Sequence, residues 1–575
     1  MTGPAGAPRR SRGDTDGSGR GTAGDGTAGD GIANVARHLD RFAADAPERP
    51  AVRAAVRRRP GQWESQSFAV LAARSRRIAS GLLAQGLVRG DRVSLLVEPG
   101  IDLIAITYAC LRAGLVPVLI DPGMGRSSFL ACVERMAPAA LIGVRRAHVA
   151  RLLFRHAFRT CRVRVGVGPG PHFGALRLDA LEAAGDGRFT HADTTARETA
   201  AILFTSGSTG PAKGVVYTHG IFEAQVAALR DLYDLQPGEV DVACFPLFAL
   251  FDNALGMTSV FPDMDPTRPA QCDPALIHRA VVESGATLAF GSPAIWRRVA
   301  PWCAARGERL GGLRRVLVAG APVPPQLVEA LRAVLPDGGD VHTPYGATES
   351  LPVSSVSGAE IVDASIRSHS ETGGGNCIGR PAPGMDLRVI RIDDGPIASW
   401  SDELEVAAGE LGELCVRGPV VTPAYAEDPG ATALAKIDDG RGGVWHRMGD
   451  LGCVDGDGRF WFQGRKSHRL ETELGVLPCV PTENAFNTHP AVRRTALVGV
   501  GARGSELPVL VIELEPSERP TEALADAILA HGRDRVATAS RVTRTLFHPG
   551  FPVDVRHNAK IDRPLLAEWA TEQLR

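Results

Sequence analysis

The sequence predicts an α/β protein of more than one domain, built of helices layered on largely parallel sheets. Three observations carry that expectation. Apolar residues recur at helical spacing from Phe68 to Leu83 and again through IDLIAITYACLRAG, and each run is followed by a short, almost continuous apolar run, VRGDRVSLLVEP and then LVPVLIDP. Strands buried on both faces read this way, whereas a half-solvated strand alternates. A chain of 575 residues, 44% hydrophobic, can bury more than one core. Finally, a segment rich in Gly, Ser and Thr is held between the apolar runs Ile202–Phe204 and Val215–Tyr217. A flexible linker does not need buried strands on both sides.

Taken in order, residues 1–33 repeat Gly, Thr, Ala and Asp with few large apolar side chains, the composition of a disordered tail. Arg9 and Arg10 lack the apolar stretch that an export signal requires. Helical patterning begins at Val35, Leu39 and Phe42. The longest apolar stretch, Ile104 to Ile120, is broken by Arg112 and Gly114 and reads as a helix feeding a strand, with no membrane span. A net charge of −1 gives no electrostatic case for a nucleic-acid or anionic-membrane partner. The ten cysteines, scattered singly from Cys110 to Cys479, show no metal or disulfide spacing; reduced, buried thiols and a cytoplasmic location are expected.

The segment LFTSGSTGPAKGVV, residues 203–216, has the makings of a polyphosphate grip. In Thr205, Ser206, Gly207, Ser208, Thr209 and Gly210 small residues let backbone N–H groups approach an anion and hydroxyls add donors, while Lys213 supplies a compact charge. It is not a Walker A loop, because Gly214 stands where Ser or Thr would meet Mg²⁺. Lysine is scarce: only Lys213, Lys436, Lys466 and Lys560 occur among 64 Lys and Arg residues. A site that keeps Lys where Arg is the habit needs a rotatable point charge.

Further on, residues 243–270 are dense in apolar side chains, and Phe245, Phe248, Ala249, Phe251 and Met257 read either as core or as the wall of a pocket for a lipid-like chain. RRVLVAGAPVPPQL is a strand running into the turn Gly320-Ala321-Pro322 and then a helix. HTPYGATES supplies Tyr345, Gly346, Thr348 and Glu349; an aromatic face can stack a purine, a hydroxyl can bind phosphate, and a carboxylate suits Mg²⁺. GELCVRGP and WHRMGDLGCVDGDGRFWFQGRKSHR follow, with Asp455–Gly458 read as a hairpin turn, and HNAKIDR lies near the end. The GxGxxG match at Gly499–Gly504 precedes a strand and not a helix, so it fails the dinucleotide context.

Together the phosphate loop, YGATE, GELCVRGP, Asp450, Arg465 and Lys560 resemble, in order, the signatures of the adenylate-forming superfamily of acyl-CoA synthetases, adenylation domains and luciferases. The resemblance covers the chain from about residue 34 to its end. It implies a large N-terminal domain of layered sheets and helices over 34–464 and a small mobile α+β C-terminal domain over 465–575, hinged at Ser467. It further implies ATP and Mg²⁺ as cofactors. Gly320, Ala321, Pro322, Tyr345 and Gly346 would lie around the adenine, Thr348 at the α-phosphate, Glu349 on the metal, Asp450 on the ribose, Arg465 at the domain boundary and Lys560 in the active site.

Two departures bear on the second half-reaction: Ala249 stands where many CoA ligases have the His of PLFH, and Leu474 where a Gly is usual, with Gly475 one place late. PLFALFDNALGMTSVFPDMDPTRPA and GRKSHRLET resemble instead the β-lactone synthetases of olefin biosynthesis. That resemblance implies a long-chain 2-alkyl-3-hydroxy fatty acid whose own hydroxyl displaces AMP, and a complex with other hydrocarbon-biosynthesis enzymes. The alternatives are a long-chain fatty acyl-CoA ligase or acyl-AMP ligase and, in another class, a non-catalytic nucleotide sensor.

Overall fold

A computed structural model describes residues 32–57, 59, 61–205, 212–553 and 561–575. The expected tail, residues 206–211 of the phosphate loop and Lys560 in HNAKIDR lie outside the described residues.

Two large sheets form the body, their strands counted here among the described residues. The first has seven strands; at its centre Arg92–Leu96, Val116–Leu119, Ala140–Val144 and Thr199–Thr205 run parallel, and Lys213–Thr218 closes one edge antiparallel to Thr199–Thr205. The second has fourteen strands and two characters. Val240–Ala243, Thr258–Phe261, Leu288–Gly291, Arg315–Val318 and Asp340–Ala347 form a parallel half. From Ser350–Ser357 onward the pairing turns antiparallel, through Asn376–Pro381, Phe460–Arg465, Val444–Val454 and Gly412–Arg417. Pro50–Ala55 joins this sheet beside Thr258–Phe261, in the register Val52↔Ser259, and pairs on its other side with Trp63–Ser67.

The helix Ile101–Ala113 lies deep in the core, and every residue from Leu103 to Ala113 is buried. A helix apolar all round must be covered on all sides. Its one buried charge, Arg112, is neutralised by Asp40, with Oδ2 2.7 Å and Oδ1 2.9 Å away. The helix stops at Gly114, which holds the left-handed conformation, φ 67°, that closes a helix without the steric penalty of a Cβ. Among the described residues no helix is long and apolar enough to cross a membrane. All ten cysteines are free, and nine are buried.

After Arg465 the chain leaves the large sheet. It forms the short hairpin Leu470–Thr472 with Gly475–Leu477 and a separate three-stranded sheet, Val492–Val500, Leu507–Leu514 and Arg544–Phe547, packed with helices. Gly499–Gly504 spans the turn between antiparallel strands, as its failed context requires, and Asp455–Gly458 is likewise a hairpin turn.

One pair inside the body is unusual. Asp241 and Asp252 are both wholly buried; burial pushes Asp241 up to about 7, and burial together with the Asp241 charge pushes Asp252 well above the carboxylate range. Two carboxylates cannot both ionise there, so the pair retains a proton at neutral pH. An unfolded Asp titrates near 3.9. The folded state therefore holds more protons than the unfolded chain above that value, and the stability present at low pH is lost as pH rises through about 7. The melting temperature is expected to fall between pH 5 and pH 8, and Asp252→Asn to flatten that slope. An unchanged slope in the variant would remove this pair as its source.

Candidate active site

A cleft of about 2660 Å³ lies between the two sheets and the C-terminal segment. Each edge is set by local chain geometry. Thr199–Thr205 and Lys213–Thr218 pair to the last residue, Thr205↔Lys213, which places Lys213 at the cleft end of this strand pair. The Lys213 ammonium lies 5.0 Å from the centre of the Tyr425 ring, within range of a cation–π attraction. The turn after Arg315–Val318 brings Gly320, Ala321 and Pro322 to the cleft, and the positive φ of Gly320, 94°, explains the glycine.

Asp340–Ala347 and Ser350–Ser357 pair up to Ala347↔Ser350, which leaves Thr348 and Glu349 as a two-residue turn at the cleft. That turn is held from below. Tyr217 donates its hydroxyl to the Thr348 carbonyl at 2.6 Å, and Thr422 donates both its N–H and its hydroxyl to the Glu349 carbonyl, each at 2.9 Å. The Tyr425 hydroxyl donates to Glu349 Oε1 at 2.7 Å. Gly346, beside this turn, also lines the cleft, and a Cβ there would meet the Ser350 carbonyl at 2.6 Å.

Asp450 and Arg465 are direct partners across antiparallel strands, with Arg465 Nη1 2.9 Å from Asp450 Oδ1. Tyr345 donates its hydroxyl to Asp450 Oδ2 at 2.7 Å. Burial raises the Asp450 carboxyl, and the Arg465 charge opposes that rise. One register thus gathers Tyr345, Asp450 and Arg465, which are separated in sequence, into a single cluster on the cleft. Ser467 lines the cleft two residues on, in the 3-10 turn Lys466–His468. Lys466 is anchored behind it, to Glu413 Oε2 at 3.0 Å and the Asp393 carbonyl at 2.8 Å.

The apolar arm of the cleft is aromatic. Phe248 stacks on Phe290 with centroids 4.5 Å apart, Phe222 on Phe251 at 4.7 Å, and Phe245 is half exposed to the cleft. Ala249 and Met257 do not join them: both are wholly buried in the main core behind this wall. The apolar run folds as the seven-residue helix Ala249–Leu255 and then the strand Thr258–Phe261, and only part of each element can face the cleft.

Magnesium fits this donor set. No group of three or more His, Cys, Asp or Glu side chains is gathered for a metal among the described residues. Mg²⁺ is commonly held by one or two carboxylates with substrate phosphates supplying further oxygens. Glu349, on a turn joined to Lys213 through the Tyr425 ring, suits that mode.

Sequence reasoning missed Thr422, Tyr425 and His446, and noted Lys436 only for its rarity. Lys436 and His446 are a directly opposed pair on strands Lys436–Asp438 and Val444–Val454. Burial lowers the Lys436 ammonium to about 7, with Glu349 opposing, and drives the His446 imidazole well below its usual range. The rarity of lysine was the available signal.

The sequence matches the family model described as AMP-binding enzyme over residues 39–426. It is 45% identical over 94% of its length to 98% of an olefin beta-lactone synthetase of Xanthomonas campestris pv. campestris. Against an olefin beta-lactone synthetase of Stenotrophomonas maltophilia the figures are again 45%, 94% and 98%. A solved anthranilate CoA ligase in complex with anthranoyl-AMP superposes with a TM-score of 0.76 at 19% identity, over 94% of this chain and 98% of that one. At that identity the likeness is one of fold.

Proposed function

The chain belongs to the AMP-binding enzyme family, and from that premise we propose that it adenylates a long-chain 2-alkyl-3-hydroxy fatty acid and closes the adenylate to a β-lactone. The observation that carries the reading is the 45% identity to two olefin beta-lactone synthetases, which extends through the C-terminal segment and the aromatic arm.

In the first step a carboxylate oxygen attacks the α-phosphorus of ATP and pyrophosphate departs. Both reactants are anions, so the chain must screen them where charge builds up. In this reading Lys213 takes the phosphates, Thr348 the α-phosphate, Tyr345 the purine face and Asp450 the ribose hydroxyls, with Arg465 paired to the Asp450 carboxylate at 2.9 Å. Lys560 is assigned to the transition state. Glu349 would hold Mg²⁺, which when bound adds positive charge at the phosphates.

In the second step the substrate's 3-hydroxyl oxygen attacks the acyl carbonyl, the carbonyl–phosphate oxygen bond breaks, AMP leaves with the electron pair, and the hydroxyl proton is lost. Tethering the nucleophile removes the entropy cost of a second substrate. The wall of Phe248, Phe251 and Phe290 excludes water from the mixed anhydride and accepts an alkyl chain.

Incubation with ATP, Mg²⁺ and a 2-alkyl-3-hydroxy acid should yield AMP, pyrophosphate and a β-lactone without CoA, by mass spectrometry of the organic phase. The same acid lacking its 3-hydroxyl should stop at acyl-AMP. Turnover of that acid only on addition of CoA, with a thioester formed from the hydroxy acid, would make the protein a CoA ligase instead.

A further inference from the structure

The net charge of −1 conceals an uneven distribution. From Arg135 to Leu178 the chain carries nine arginines and no aspartate or glutamate. Most of them lie on the helix Arg145–Leu153 and on the turns and strand that follow it. Glu98, Glu134 and Asp91 answer Arg146, Arg159 and Arg162 from neighbouring elements. Arg145, Arg155 and Arg164 are exposed and meet no carboxylate at ion-pair distance among the described residues.

Large apolar side chains stand among these cations. Leu153 is 71% exposed, Phe173 43% and Leu152 37%. Phe173 lies in the loop between the strands Val163–Val167 and Leu176–Arg177, where its φ of 53° is a left-handed conformation that a bulky residue seldom adopts. The loop is fastened to the helix: Arg151 Nη2 donates to the Phe173 carbonyl at 2.9 Å. Arg145 runs along the same loop, since a Cβ on Gly170 would meet its Cδ at 3.4 Å. Arg126 adds a cation from the preceding helix, 5.8 Å from the centre of the Phe154 ring. The helix end and the loop thus make one surface on which outward apolar groups and unanswered guanidinium groups alternate. The helix also reaches the cleft, which Ala147 and Ala150 line. With Leu153 these follow at three-residue spacing, an apolar stripe leading from the cleft to that surface.

We propose that this face docks the protein on a membrane surface that contains anionic lipid. Leu152, Leu153 and Phe173 enter the headgroup layer, and the arginines meet lipid phosphates. Apolar side chains beside cations are what an interface with a hydrocarbon interior and an anionic rim takes up. An acidic protein would occupy the arginines and leave the leucines unexplained. The proposed substrate agrees with this partner: an acid with two alkyl chains resides in the bilayer, and docking brings the cleft to the phase that holds it. The inference is independent of what attacks the acyl-AMP.

The test is flotation of the full chain with vesicles of phosphatidylcholine alone and of phosphatidylcholine mixed two to one with phosphatidylglycerol, with neither nucleotide nor acid present. The parent chain should float with the mixed vesicles and be released by salt. Arg145→Gln together with Arg155→Gln should weaken the partition by about fivefold for each arginine. Leu153→Ser should weaken it by about tenfold and keep the salt dependence. None of these residues belongs to the proposed site, so pyrophosphate release with a short soluble acid should stay at the parent level, which reports that each variant is folded. No flotation of the parent, equal flotation with both vesicles, or flotation unmoved by the substitutions overturns the proposal. Binding to polyglutamate without binding to vesicles would assign the face to an acidic protein partner and overturn it equally. Flotation is read without substrate, so failure of the lactone reading would leave this result standing.

Discussion

Lys560→Ala is expected to lower acyl-AMP formation by about 10²-fold or more, the loss that follows removal of a preorganised cation from a charged transition state. The effect should fall on the rate and not on nucleotide affinity, because the residues proposed to hold the adenosine, Tyr345 and Asp450, lie on other elements. The described chain resumes at Ile561 beside the cleft, and Arg563, which also lines it, is locked to Glu483 by contacts of 2.5 Å and 2.9 Å. The helix Arg563–Gln573 begins there, capped by the Asp562 side chain on the Leu565 N–H at 3.2 Å. Pyrophosphate release measured with the 3-hydroxy acid and ATP decides the matter; parent-like release by the variant would remove Lys560 from the adenylation step.

Glu413→Ala should be the most damaging single change to stability, by about 3–5 kcal/mol, the range seen when one partner of a buried ion pair is deleted. Glu413 and Arg447 are each 1% exposed, and Arg447 Nη2 and Nε lie 2.7 Å and 3.1 Å from Glu413 Oε2. Lys466 meets the same oxygen. Removing the carboxylate strands two cations among carbonyl groups that cannot neutralise them. Arg417 and Asp386, although only 2.6 Å apart, are partly solvated, and Asp386→Ala should cost no more than about 1 kcal/mol. Urea unfolding of both variants makes the comparison; a Glu413→Ala loss as small as that of Asp386→Ala would mean that water reaches this cluster.

The parallel order of the first sheet was legible because strands buried on both faces are written as continuous apolar runs, and YGATE was legible because its residues are contiguous on one turn. Asp450 and Arg465 could be named singly but not as partners, since their meeting depends on the register of two strands. Lys436 and Tyr425 were opaque for the same reason. Their relation to Glu349 is made by a crossing of chain segments, Val215 with Tyr425 and Ser350 with Val421, that no local pattern encodes. Ala249 and Met257 were misplaced because an apolar run does not say which of its faces meets the cleft.

The pairing of Val52 with Ser259 has a consequence for how the chain is made. Pro50–Ala55 leaves the ribosome early, with its hairpin mate Trp63–Ser67 close behind to cover one edge. The other edge waits for a strand some two hundred residues later. At a synthesis rate of about 5–20 residues per second, that interval lasts roughly 10–40 s. Throughout it the nascent chain carries an unmatched strand edge, and the deeply buried helix Ile101–Ala113 lacks part of its final covering. Translation speed between these two points, and any chaperone that reaches the chain within that interval, should therefore govern the yield of folded protein more strongly than events after Phe261 has emerged.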